Sequence, residues 1–514
     1  MTSSKLAKNT AALFVRQILI LGINLYSIRV LLGSLGIADF ALFNVILNVA
    51  LLGSFLPGAL GMITQRYFSF AIGTGDRSAL YRVHDATLVL CLAVTLLIIL
   101  GLETAGTWFV AHRLVMAPER LFAAQVLFQL TVLSFVIGNI SSFYSAIVMA
   151  HEDMHVFALL SVMDAILRLG AVLAISLVAG DGVIVYGSLL CLVSVALASA
   201  YWIFCTLRYE ECRPRRIRLE IATLRETLGF AGWTVFGQVT TISRNQAVTI
   251  LINQAFNPAT VAARALALSV SGQVLTFSTN FSAALHPPII KAHAAGEKAR
   301  MFGLIFTGSK VTFFLVWMAT LPIMSVMPGI LTLWLGDYPN ETVLFIRLAL
   351  IENAIVAISF PLMTAVRATG QMRLYEVTLG ALQLLVLLFS WILVRTGYPA
   401  FSVYLVAIAV NLVMFAVRLA IVSQLTGLPV ATYLQTVLVP VLLVVLLSSS
   451  LVWGLLHLAP AAVDLSLDPG ALAAAALIGL LPPCVIYTLG FNARERGALH
   501  SMARHQLAKF RARS

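Results

Sequence analysis

Six arginines lie within long apolar runs of this chain: Arg16, Arg29, Arg168, Arg244, Arg264 and Arg347. Carboxylates in such runs are fewer, namely Asp164 and Glu352, with Asp85 and Glu103 near the ends of one run. An arginine at the centre of a bilayer costs at least about 2.5–3.5 kcal/mol on insertion scales, so each should face a partner or a water-filled cavity. A surplus of fixed cations over anions selects an anionic ligand, and the planar guanidinium fork matches phosphate geometry. At 3.6 residues per turn Arg16, Gln17 and Asn24 fall within about 100° of one another, whereas Arg29 projects elsewhere unless the helix bends near Gly22. Arg16 could equally snorkel to the interface. Arg244 and Asn245 interrupt an apolar run, and Arg264 lies about two turns inside another. Arg16, Asn24, Arg29, Arg244, Asn245 and Arg264 are therefore the candidate substrate contacts. Glu352, beside Asn353, is the strongest candidate for ion coupling, with a structural hydrogen-bonding role as its equal alternative. Asp164, Arg168 and Arg347 are further coupling candidates. Asp164 and Arg168 have the i, i+4 spacing of a pair on one helix face, and a self-neutralised structural pair is the favoured reading of them. Arg347 precedes Glu352 by five residues, an awkward spacing for pairing on a regular helix.

A second constellation is His151-Glu152-Asp153-Met154-His155, which spells H-E-x-x-H. On a helix this places two imidazoles on one face beside a glutamate base, the zinc-protease arrangement, with Asp181 as an imaginable third ligand. A motif needs its structural context. Here it falls between two apolar runs, in a predicted short turn, and Asp181 is predicted on the opposite side of the membrane. Neither a metal, nor a cofactor, nor enzymatic catalysis is expected.

The elements that must position these residues are membrane helices. The chain of 514 residues is 60% hydrophobic and only 11% charged, with a mean hydropathy of +0.97. A soluble domain averages about 45–50% apolar and about 25% charged. The apolar runs are of helix length, about 20 residues, and not the alternating ten-residue segments of a β-barrel. The spacing predicts fourteen spans, near 9–32, 40–63, 83–108, 121–147, 156–178, 183–207, 228–252, 259–285, 303–327, 342–366, 374–395, 400–422, 433–457 and 470–491. The first is long enough to span and lacks a small-residue cleavage site, so a span is expected there and not a removable signal. With the N-terminus inside, inner segments hold 24 of the 33 basic residues and outer loops only Arg113, Arg120 and Arg395. The positive-inside rule then explains most of the net charge of +12, predicts both termini cytoplasmic, and leaves no basic soluble domain for a nucleic acid. The five cysteines form no CxxC pair, so neither a disulfide framework nor a metal knuckle is read.

The chain also echoes itself. Gly75-Asp76-Arg77 returns 221 residues later as Gly296-Glu297-Lys298, each after an apolar helix end. Ala150 to Met154 pairs with Ala368 to Met372 at an offset of 218. The segments Thr64–Arg77 and His286–Lys298 thus read as equivalent cytoplasmic hinges, with Arg66, Arg77 and Arg82 against anionic membrane lipids. Two parallel repeats of six helices follow, the parallel case of transporter duplication. The expected organisation is an N-lobe at 1–207, a cytoplasmic basic linker at 208–226, a C-lobe at 227–423, two further helices in 424–491 and a basic tail at 492–514. The fold class is an all-α integral membrane protein of fourteen helices.

These features resemble the polysaccharide (O-antigen-type) flippases of the multidrug/oligosaccharidyl-lipid/polysaccharide exporter superfamily. The likeness is densest in LAKNT, SIRVLLGSLGIADFALFNV and TQRYFSFAIGTGD. It implies a V-shaped two-lobe carrier in a bacterial inner membrane with a central cavity. The implied activity is transfer of an undecaprenyl-pyrophosphate-linked oligosaccharide from the cytoplasmic to the periplasmic leaflet by alternating access. Cavity arginines would hold the pyrophosphate, with Arg16, Arg29 and Arg264 the positions carried over. The resemblance also implies drive by H+, Na+ or membrane potential, and the polysaccharide polymerase machinery as a partner. HEDM at 151–154 departs from the basic residue often found there in the family. The competing readings are a proton- or sodium-coupled multidrug exporter of the same superfamily and, further off, an intramembrane zinc protease.

Overall fold

A computed structural model describes residues 55–112, 118–178, 180–218, 220–460, 463, 469–493 and 495–497, with positions 16, 17, 19, 20, 22, 23, 26, 27, 30, 31, 33–35, 39, 42, 43, 46 and 47 before them. Asn24 and Arg29 lie outside the described residues, as do most of the first predicted span and of the tail. All regular structure among the described residues is helical. The chain divides into two compact units, the first ending at Gln238 and the second beginning at Val239.

The first unit contains α1 (Phe55–Thr74), α2 (Arg77–Gly101), α3 (Leu121–Ala150), α4 (Met154–Ala174), α5 (Gly182–Arg208) and the beginning of α6 (Ile221–Ala255). Its core is α3 against α1 and α5, where Leu127, Phe128, Phe143 and Ile147 are fully buried. Asn139 on α3 donates to Thr95 Oγ1 on α2 at 2.5 Å, a polar tie of the kind that joins helices where burying apolar surface gains little.

The second unit continues with α7 (Pro258–Ala294), α8 (Lys298–Ser325), α9 (Met327–Leu335), α10 (Thr342–Ala357), α11 (Phe360–Thr369), α12 (Met372–Arg395), α13 (Ser402–Thr426), α14 (Val439–Leu458) and α15 (Pro469–Val485). Here α7 is central and packs on α8, α10 and α11. Buried ties again cross between helices: Ser278 Oγ to the Thr312 carbonyl at 3.0 Å, and Trp317 Nε1 to Ser448 Oγ at 3.0 Å.

Eleven helices among the described residues are long and apolar enough to cross a membrane. Large side chains such as Leu177, Leu207, Leu446 and Trp453 point away from the core, as a lipid-facing surface requires. The chain is a multi-pass membrane protein. Of the expected fourteen spans, those near 9–32, 40–63 and 228–252 are not among the eleven. Much of the first two lies outside the described residues. The third belongs to α6, whose Arg225, Glu226, Gln238, Arg244, Asn245 and Gln246 lower its hydropathy.

The repeated turns have the same backbone. Gly75 and Gly296 have φ of +74° and +72°. Glu152, left-handed at φ +66°, has its counterpart 218 residues on in Gly370 at +77°. The expected hinges are nevertheless mostly helix. Thr64 to Thr74 completes α1 and His286 to Ala294 completes α7, so each turn shrinks to a glycine and an acidic cap. Asp76 Oδ1 caps α2 by accepting from the amides of Ser78 at 2.8 Å and Ala79 at 3.2 Å. With the Ser78 hydroxyl, these bonds hold its carboxyl below the ordinary range. A Cβ at Gly75 or Gly296 would meet nothing within 4 Å, so the cost of one there is purely conformational. Gly75→Ala and Gly296→Ala are each expected to destabilise by about 1–2 kcal/mol, read as a lower thermal midpoint in detergent. Gly75→Asn should be milder, because asparagine tolerates the left-handed region.

Candidate functional site

The first unit carries a half-open cavity of ≈ 530 Å³. Its charged lining is Arg16, Asp164 and Arg168, joined by Gln17, Tyr201 and the serines Ser141, Ser142, Ser145, Ser161 and Ser194. Asp164 and Arg168 on α4 pair as their spacing predicts, Nε to Oδ1 at 2.8 Å. Arg16 faces the same cavity with its guanidinium 5.0 Å from the Phe157 ring centroid. Ser145, Ser161 and Ser194 donate to carbonyls of their own helices at 2.9, 2.7 and 3.0 Å. A serine hydroxyl has one proton and two acceptor sites, so these three offer acceptors to anything in the cavity. The serines and Tyr201 were not singled out in the sequence. The usable signal was Ser-Ser-x-x-Ser at 141–145 inside an apolar run.

In the second unit Glu352 on α10 is the hub. Its Oε1 accepts from Arg244 NH1 on α6 at 3.4 Å and from Asn411 Nδ2 on α13 at 3.1 Å. Asn245 Oδ1 takes a further bond from Arg244 NH2 at 3.0 Å. Neighbouring Asn353 donates to the Ser271 carbonyl at 2.9 Å, fixing α10 against α7. Arg347 does not join Glu352. Its Nε donates to the Met324 carbonyl at 2.9 Å, and it lines a separate groove of ≈ 570 Å³ with Ser449, Ser450 and Trp453. Arg264 on α7 is buried, 5% exposed, with Nε on Thr249 Oγ1 at 3.2 Å and its guanidinium 5.6 Å from the Tyr404 ring centroid. Among the described residues it has no carboxylate partner. Asn411 was missed, and its signal was a lone amide within Val410-Asn411-Leu412.

The H-E-x-x-H segment is broken by its own backbone. His151 caps α3, Glu152 takes the left-handed turn and α4 begins at Met154. His151 Nε2 lies 2.8 Å from Glu211 Oε1, and its ring stacks on Tyr209 at 3.9 Å and 11°. The Tyr209 hydroxyl donates to Asp153 Oδ2 at 2.8 Å. Burial works to raise the Glu211 carboxyl, but the His151 bond, a backbone amide and the nearby His151 and His84 rings outweigh it and set it below the ordinary range. Its contribution to stability is therefore present above the usual carboxylate pKa and fades as pH falls through the lowered value. No group of three or more potential metal ligands occurs among the described residues.

Two further anchors were read otherwise from the sequence. Arg66, expected against lipid headgroups, is buried at 5% exposure. The rings of Tyr67 and Phe230 sit 4.3 and 4.9 Å from its guanidinium, with Glu226 at 3.9 Å. Asp85, 2% exposed on α2, accepts from Arg215 NH2 at 2.8 Å and from the Arg218 amide at 2.9 Å, holding the basic linker to the first unit. Asp85→Ala should release that run, accelerating tryptic cleavage at Arg213–Arg218 by about tenfold, the worth of a charge-assisted bond. Arg120 likewise ties Asp39 to Asp181.

No family model matches the chain, and no curated protein matches it. Solved structures do. The outward-facing conformation of a multidrug resistance MATE family transporter of the MOP superfamily superposes with a TM-score of 0.70 at 14% identity, covering 83% of this chain and 96% of that one. A MOP superfamily transporter from Pyrococcus furiosus, whose binding pocket is described as of reverse polarity, gives 0.68 at 15% identity, covering 83% and 96%. A MATE in the straight conformation gives 0.68 at 15%, covering 83% and 98%. The chain has the fold of the MOP superfamily transporters. Within that MOP fold the chemistry is set by this chain's own side chains, since identity this low carries the architecture alone.

Proposed function

We propose that the chain is a flippase for an undecaprenyl-pyrophosphate-linked oligosaccharide. It would move the polysaccharide repeat unit from the cytoplasmic to the periplasmic leaflet of a bacterial inner membrane by alternating access. The observation that carries this reading is the charge inside the helices. Among the described residues Arg168 and Arg244 pair with Asp164 and Glu352, whereas Arg264 and Arg347 are held by a hydroxyl and a carbonyl and have no carboxylate within ion-pair distance. Such an interior favours a phosphate- or carboxylate-bearing substrate and opposes a cationic drug. Glu352 is the site where a proton or Na+ gradient would be coupled, with the Asp164–Arg168 pair a second candidate. Orientation with both termini cytoplasmic, and contact with anionic lipids and a polysaccharide polymerase, belong to the same proposal. The fold serves a multidrug exporter equally well, and the multidrug neighbour favours that second reading. Expression in a strain lacking its own flippase decides between them. Restored surface polysaccharide and a cleared pool of lipid-linked glycan are expected. Resistance to cationic drugs with no effect on glycan would overturn the choice.

A further inference from the structure

The groove of ≈ 570 Å³ between α8, α10 and α14 has Arg347 as its one charged lining side chain among the described residues. A gap in the backbone of α8 sets the position of that arginine. Pro328 stands four residues after Met324, and proline has no N–H, so the Met324 carbonyl lacks its usual i+4 donor. Arg347 Nε takes the vacant place at 2.9 Å. That spends one of the five N–H donors of the guanidinium. The terminal fork, which holds the other four, has no partner among the described residues and is not sealed off from the groove.

The groove sits where helices end. Arg347 is five residues from the start of α10 and Trp453 five from the end of α14, about 8 Å along each axis. Met324 is the penultimate residue of α8. The Gly329 amide donates to the Val463 carbonyl beyond α14 at 3.1 Å, so these ends meet on one side of the unit. Trp453 is 67% exposed and stands edge-on to His457 at 4.3 Å, the aromatic placement of a membrane interface. Leu321, Val452 and Leu456 form an apolar wall, and exposed Leu446 and Leu442 continue the face of Ser450 along α14. An occupant must bring one negative charge on paired oxygens together with an apolar chain. A phosphodiester lipid has both, whereas pyrophosphate carries more charge than one guanidinium answers. The serines narrow the head group. Ser450 donates to the Leu446 carbonyl at 2.8 Å and keeps its oxygen as an acceptor, while the Ser449 hydroxyl has no hydrogen bond among the described residues. No carboxylate among the lining residues could meet an ammonium. A head with hydroxyls and no cation is the better fit.

We propose that the Arg347 groove binds an anionic phospholipid of the phosphatidylglycerol type. The guanidinium fork takes the phosphodiester, Ser449 and Ser450 take the head-group hydroxyls, and an acyl chain follows Leu446 and Leu442. The site does not rest on the flippase reading and serves a drug exporter equally. It assigns Arg347 to the surrounding bilayer and not to ion coupling.

The test uses the full-length protein in phosphatidylcholine nanodiscs that hold a minor fraction of a photoactivatable phosphatidylglycerol. Its diazirine sits on the acyl chain near the head, and cross-links are located by peptide mass spectrometry. Label is expected on 321–325 and 446–456, about tenfold above that from a phosphatidylcholine probe, whose head brings an unmatched cation and no hydroxyls. Arg347→Gln should reduce phosphatidylglycerol labelling there to the phosphatidylcholine level, with Arg347→Lys retaining part of the difference. Inorganic phosphate should not compete, since it lacks the chain. Equal labelling by the two lipids, label confined to other segments, or labelling unchanged in Arg347→Gln each overturns the site. Displacement by inorganic phosphate makes it a free-anion site and overturns the lipid assignment. Where Arg347→Gln fails to fold, the two probes on the wild type and the position of the label still decide.

Discussion

On the proposed flippase reading, Arg264→Ala is expected to lower glycan export by at least about tenfold, the loss that goes with removing charge-assisted contacts worth about 1.5–3 kcal/mol. The amount of protein in the membrane should not fall. An arginine within the bilayer costs at least about 2.5–3.5 kcal/mol on insertion scales, so its removal cannot hinder insertion on those grounds. The side chain is 5% exposed and held by the Thr249 hydroxyl and the Tyr404 ring, without a carboxylate among the described residues. Arg168 is neutralised by Asp164 and Arg244 by Glu352, whereas Arg264 has only a hydroxyl and an aromatic face. On the proposed flippase reading, the cation at that position meets an anion that arrives during transport. Arg264→Lys keeps the charge but loses the planar fork and its stacking on Tyr404, so it should restore export only partly. The measurement is surface polysaccharide normalised to membrane protein, and wild-type export by Arg264→Ala would remove this residue from the substrate contacts.

What the sequence made legible was what is local along the chain. Apolar runs of helix length marked eleven of the spans directly, because the bilayer imposes that length. Asp164 and Arg168 were paired correctly because i, i+4 spacing fixes them on one face. The turns at Gly75 and Gly296 were found through their echo, and that echo extends to the left-handed backbone of both. Interhelical partners were not legible. Glu352 meets Arg244 across 108 residues of chain, and Asp85 meets Arg215 across 130, and no periodicity encodes either distance. Arg66 was misplaced for the same reason. Its closeness to a turn suggested lipid headgroups, while the ring that helps bury it, Phe230, comes from the beginning of α6. The adjacent Tyr67 and Phe70 were the available clue, since aromatic faces flanking an arginine can replace water around it. The H-E-x-x-H spelling misled in the opposite direction. Its spacing is that of a helix face, but Glu152 turns the chain out of the helix before the second histidine.

The sharpest separation of coupling from structure lies in the Arg244–Glu352 pair. Removing one partner of a fully buried ion pair costs about 3–5 kcal/mol, because the other is left charged and desolvated. Here the side chains are 18% and 14% exposed and the contact is 3.4 Å. The expected cost of Arg244→Ala or Glu352→Ala is therefore smaller, about 2 kcal/mol each in a thermal unfolding assay. The double variant should be less damaged than the two losses added together, with a coupling of about 1 kcal/mol, since neither charge then remains to be stranded. Glu352→Gln distinguishes the roles. The amide oxygen can still accept from Asn411 and Arg244, so the hydrogen-bonded frame of α6, α10 and α13 survives, but the group can no longer gain or lose a proton. If Glu352 carries the coupling proton, Glu352→Gln should transport slowly and without the pH dependence of the wild type while unfolding near the wild-type temperature. If the carboxylate only neutralises Arg244, the substitution should lower the unfolding temperature and leave the shape of the pH profile intact. The two outcomes differ in both measurements. A pH-independent, stable Glu352→Gln protein would place ion coupling at Glu352.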